Sequence, residues 1–130
     1  MKYIFWMCLI VVAVCLFGLV TKKDAAPVLP DPPVEMSFRP SKLWPGYVAQ
    51  ITNTHSAAIT IALNVVNDEE HQEKTWDFPI PYGETKEIGM LEVNWHFDPG
   101  EHGYVQVQGY TKKLYYKLKS DGEYSLWFGL

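Results

Sequence analysis

AITIALNVV, Ala58 to Val66, sets the reading of the whole chain. Ile59, Ile61, Leu63 and Val65 recur at every second position, with Thr60, Ala62 and Asn64 between them. Successive side chains of an extended strand point to opposite faces, so this spacing gathers four branched apolar side chains on one face. A helix, turning about 100° per residue, would scatter the same residues around its circumference. The stretch therefore predicts a strand with one face on a core and the other toward water.

The same period extends outward from it. WDFPI aligns Trp76, Phe78 and Ile80, and LEVNWHF aligns Leu91, Val93, Trp95 and Phe97 with Glu92, Asn94 and His96 turned outward. YVQVQ alternates Val105 and Val107 with glutamines. KLYYKL places Leu114, Tyr116 and Leu118 on one face, and EYSLWF does so with Tyr124, Leu126 and Phe128. Ile61, Leu63, Val107 and Leu126 are accordingly predicted core positions. Turn signals separate these runs at Trp44-Pro45-Gly46, Asn53 to Ser56, Asn67 to Gln72, Pro81-Tyr82-Gly83, Asp98-Pro99-Gly100 and Ser120-Asp121-Gly122. Leu118 to Tyr124 is the clearest hairpin, because Asp-Gly tolerates positive φ. Seven or eight short strands in about a hundred residues predict an all-β, antiparallel β-sandwich over residues 34–130.

The upstream third differs. Tyr3 to Val20 is an uncharged apolar run that as a helix would span roughly 27 Å, close to a bilayer hydrocarbon core. A cleaved signal peptide is the competing reading, but cutting after Ala25 or Ala26 would put a charge at the −3 position. A lipoprotein signal is the third, and Val14 before Cys15 is not the small residue such a site needs. Residues 1–20 are therefore predicted to be an uncleaved transmembrane signal anchor that holds the membrane lipid. Lys2 precedes the run and Lys22 and Lys23 follow it, so positive charge does not choose an orientation. A minimal leading flank before a folded domain predicts a single-pass protein with that domain on the extracytoplasmic side. Residues 21–33, with four prolines in thirteen positions, are read either as a semi-rigid spacer of about 40 Å if extended at about 3.1 Å per residue or as a disordered linker with no spacing role.

Charge and cysteine usage exclude several classes. The formal net charge is −4, and from Val34 onward eight Lys or Arg face thirteen Asp or Glu. Nucleic-acid binding needs a basic surface to displace counterions, so it is not expected. Both cysteines, Cys8 and Cys15, lie in the apolar run, leaving the sandwich no disulfide, thiolate nucleophile or cysteine zinc site.

Between Val93 and Tyr110, His96, Asp98, Glu101 and His102 crowd one connection, and imidazole with carboxylate suits a divalent metal. Their spacing matches no motif of known ligand geometry, and Asp-Pro-Gly-Glu-His-Gly is polar turn chemistry, so a turn is predicted. The acidic loop Asn67 to Glu73 lacks the spaced carboxylates and glycine of a calcium loop. No nucleophile elbow organises a Ser, His and Asp triad. The chain is expected to be non-enzymatic, without cofactor or metal.

Phe97-Asp98-Pro99-Gly100-Glu101 leading into Tyr104-Val105-Gln106-Val107 resembles the Pro-Gly turn before a late strand in immunoglobulin-like and fibronectin type III-like modules of envelope proteins. The resemblance covers roughly residues 34–130, lacks the antibody-type Cys…Trp…Cys signature, and implies architecture alone. Function is sought in surface aromatics. If Leu114/Tyr116/Leu118 and Tyr124/Leu126/Phe128 face the core, Tyr115 and Trp127 project outward beside Lys113 and Lys117. Such a patch predicts a protein partner in a membrane complex, for which the chain would be an interaction module or accessory subunit. The alternatives are carbohydrate binding through the same aromatics, a cross-strand pair that only stabilises the sheet, and a metal-dependent enzyme at His96 and His102.

Overall fold

The computed structural model describes residues 29–130. The predicted anchor and the first part of the linker lie outside the described residues. Eight strands follow in order: β1 (Val34–Pro40), β2 (Tyr47–Asn53), β3 (Ile59–Asn67), β4 (Gln72–Ile80), β5 (Thr85–Ile88), β6 (His102–Val107), β7 (Lys113–Leu118) and β8 (Tyr124–Gly129). One helical turn, α1 (Met90–Val93), sits between β5 and β6. A three-stranded sheet, β1-β2-β5, packs on a five-stranded sheet, β4-β3-β6-β7-β8, and every pairing is antiparallel.

The alternation of the sequence is the alternation of burial. Ile59, Ile61, Leu63 and Val65 of β3 are all buried, as are Val105 and Val107 of β6 and Leu114, Tyr116 and Leu118 of β7. They meet Val34 and Met36 of β1, Ala49 and Ile51 of β2, and Ile88 of β5 in one core. Each such aliphatic side chain contributes about 1.5–3 kcal/mol when fully removed from water.

Gly103 shows how close the packing is. A Cβ there would lie 2.0 Å from the Asn64 carbonyl oxygen and 2.9 Å from the Tyr116 hydroxyl. The bare glycine lets Tyr116, its partner across β6 and β7, donate a 2.7 Å hydrogen bond to that same carbonyl. Burial raises the Tyr116 phenol well above its ordinary value, the Glu101 charge adding to the effect, so the hydroxyl stays a donor.

Two readings of the sequence give way. LEVNWHF is not a strand. Glu92 accepts a 2.8 Å hydrogen bond from the Gly89 N–H and so caps the helical turn α1, while Asn94 ends it in a left-handed conformation at φ 56°. Leu91 is 76% exposed in consequence, and of the predicted row only Phe97 is buried, through a bridge to Tyr47. The segment must cross from the small sheet to the large one, and that crossing overrides the local period.

The second difference is β8, where Leu126 is 39% and Phe128 42% exposed instead of core. Three strands cannot cover five. Between β8 and β1 lies a groove lined mainly by apolar residues, Val34, Met36, Leu114, Leu126, Trp127 and Phe128, with Glu35 as its one charged residue.

Candidate interaction surface

The outer face of the five-stranded sheet is assembled by register. Asn64, Tyr104, Tyr115 and Trp127 lie side by side on β3, β6, β7 and β8, each paired directly with the next. Since Leu63, Val105, Leu114 and Tyr116 face the core, pleating turns this row outward. Tyr104 and Tyr115 meet edge to face at 6.2 Å between centroids, and Tyr115 stacks on Trp127 at 5.8 Å with planes 13° apart. The Tyr115 hydroxyl donates to the Leu130 carbonyl at 2.7 Å, holding the end of β8 against β7.

Lys113 brings its ammonium 4.4 Å from the Tyr104 ring centroid, a cation–π contact. Lys117 is exposed beside Ser125 on β8 and His102 on β6. All four sequence-predicted residues thus share one face, Trp127 being the most open of the rings at 48% exposed. The β3–β4 half of the face is polar instead. There the Asn64 amide donates to Glu73 at 2.8 Å and to Thr75 at 3.1 Å. The surface offers apolar rings and two cations at one side and carboxylate chemistry at the other, a division suited to an apolar partner surface carrying negative charge.

Tyr104 was not singled out by sequence reasoning. Its outward direction follows from Val105, but its place in the row needs the β6–β7 register, which no local pattern supplies. Within the row Trp127 stacks on Tyr115 and Tyr104 meets it edge to face, while Trp127 itself stays half exposed on the edge strand.

The histidine-rich connection resolves into separate contacts. The Glu101 N–H donates to the Asp98 carbonyl at 3.1 Å, and Gly100 holds φ 93°, so Asp98-Pro99-Gly100-Glu101 is a tight turn with the Pro-then-Gly order of type II. His96 pairs with Asp98 at 3.0 Å, and His102 pairs with Asp68 at 3.2 Å, each histidine with its own carboxylate. Among the described residues no three His, Cys, Asp or Glu side chains form a group that could hold a metal.

The unexpected residue is Glu101, only 2% exposed. It accepts hydrogen bonds from the Trp95 indole at 3.0 Å and the Asn67 amide at 2.9 Å. Burial raises its carboxyl above the ordinary range, the nearby Asp98 charge adding to this, while those hydrogen bonds oppose it. Glu101 fastens the β3–β4 loop to the segment after α1. It is a strap, not an exposed ligand.

Comparison with protein-family models, with curated proteins and with solved structures finds no match for this chain.

Proposed function

We propose that the chain is a non-catalytic, membrane-anchored β-sandwich that serves as an interaction module or accessory subunit of a membrane protein complex. One observation carries this reading: an outward row of aromatic side chains ending at Trp127, flanked by Lys113 and Lys117, in a chain of net charge −4. Exposed aromatics beside cations are the side chains that become anchors when an interface desolvates them. The uncharged run Tyr3 to Val20 supports the anchor and the prolines of residues 21–33 support the spacer. Together they would hold this face away from an extracytoplasmic membrane surface.

The strand order supports the immunoglobulin-like, fibronectin type III-like reading of the sandwich. The first, second and fifth strands share one sheet and the third, sixth and seventh share the other, as in that architecture, with β8 added beside β7.

The test is co-purification from membranes in mild detergent. Tyr115→Ser combined with Lys117→Glu alters the outer face while leaving the sequence of β8 intact. Loss of an interface anchor costs 2 kcal/mol or more, about thirtyfold in affinity, and the partner should be lost from the pull-down. The ring pair contributes about 0.2–1 kcal/mol to the sheet and the Tyr115–Leu130 hydrogen bond about 0.5–1.5 kcal/mol, so the variant should lose stability modestly and remain folded. Undiminished co-purification by the folded double variant would refute this surface as the docking face.

A further inference from the structure

The four edge strands of the two sheets are not alike. β1 carries Glu35, Arg39 and Pro40, β4 carries Glu73, Lys74, Asp77 and Pro79, and β5 carries Lys86 and Glu87. Charges and prolines of this kind keep an edge from pairing with another chain. β8 has neither. Its sequence YSLWFG is uncharged, and Leu130 beyond it is 73% exposed. The inner side of β8 opens on the apolar groove of about 360 Å³ shared with β1.

We propose that β8 is a strand-addition edge, and that its occupant is β8 of a second copy of this chain, antiparallel about a two-fold axis. This pairing does not require the membrane anchor, and it shares Trp127 alone with the partner-facing row. Charge favours the second copy, because an uncharged edge meets itself without opposing like charges, whereas β4 would bring Glu73, Lys74 and Asp77 to the contact.

A two-fold register that brings like faces together is available. With Trp127 opposite Trp127 of the second copy, Leu126 falls opposite Phe128, Ser125 opposite Gly129 and Tyr124 opposite Leu130. Residues paired across an antiparallel ladder share a face, so inner side chains meet inner and outer meet outer. The row Tyr104–Tyr115–Trp127 then continues into the second copy. On the inner side, Leu126 and Phe128 of that copy close the open side of the groove.

The area agrees with a reversible pair. Leu126, Trp127, Phe128 and Leu130 leave on the order of 400 Å² per copy to be covered, taking about 150–250 Å² for a whole aromatic side chain. Two copies stay below the roughly 1,200 Å² of a standard interface, so association is weak and concentration-dependent. It also stops at two, since pairing consumes the unprotected edge and leaves the guarded ones.

Sedimentation equilibrium of the full chain in mild detergent, from micromolar to near-millimolar protein, tests this. A monomer–dimer equilibrium is expected, weakened about tenfold or more by Phe128→Lys and by Trp127→Lys, and unchanged by Gln72→Lys on β4. Should the lysine variants fail to fold, cross-linking reads the same register. With Cys8→Ser and Cys15→Ser, Trp127→Cys should give an oxidised dimer, because residues directly opposed across strands lie near disulfide reach, and Gln72→Cys should not. A chain that is monomeric throughout, a dimer indifferent to both lysine variants, or equal cross-linking through Gln72→Cys overturns the proposal.

Discussion

Glu101 couples the stability of the fold to pH. Its carboxyl is buried, close to Asp98, and bonded by Trp95 and Asn67, with a raised affinity for its proton in the folded state. The folded protein therefore binds that proton more tightly than the unfolded chain does. The stabilisation this gives is complete below the ordinary carboxylate value and is lost as pH rises through the folded value. Glu101→Gln has no proton to lose. Across about pH 4 to pH 8, urea titrations should show the wild type losing stability relative to Glu101→Gln as pH rises. Parallel curves would mean the Glu101 environment is already hydrated. No local pattern discloses this role, since Glu101 reads as polar turn chemistry, and Asn67, which buries it, stands 34 residues away in sequence.

Strand by strand, legibility tracks coverage. β3, β6 and β7 bury their inner faces in the core, and their alternation maps onto burial except at Asn64, an outward residue that is buried where it bonds Glu73 and Thr75. β8 has the same alternation, yet β1 covers it through the contact of Phe38 with Tyr124 and leaves Leu126 and Phe128 on the open groove. EYSLWF cannot report how many strands oppose it, because that is a property of the other sheet. The difference is measurable by one substitution made on two strands. Leu63→Ala should cost about 2–5 kcal/mol through lost burial and a cavity, whereas Leu126→Ala should cost about 1 kcal/mol. Equal losses in denaturant titrations would mean that something covers β8 in solution. α1 was illegible for a different reason: Glu92 caps the turn and Asn94 ends it, but Leu91, Val93 and Trp95 keep a strand-like period through both.

For the molecule as a whole, the count of alternating runs and the turns between them gave the two-sheet architecture, while the division into three and five strands came from registers beyond sequence reach. The proposed anchor belongs to this scale. Intact mass of the protein from the membrane fraction should correspond to the chain from Met1, or lacking that residue alone, and a mature start near Ala26 would contradict an uncleaved anchor.

The strand pairings also bear on how the sandwich assembles in time. Four hairpins close over short connections: β1 with β2 from Pro40 to Tyr47, β3 with β4 from Asn67 to Gln72, β6 with β7 from Val107 to Lys113, and β7 with β8 from Leu118 to Tyr124. β3 and β6 instead join Ile61 to Val107, with β4, β5 and α1 in between. Closing so long a loop carries an entropy cost that only the finished core offsets, which makes this junction the costliest of the pairings to close. Until it forms, each hairpin has its pairing partner but no opposing sheet. A slower closure of β3 on β6 would lengthen the time the nascent domain spends with apolar faces in water and open to capture by other chains.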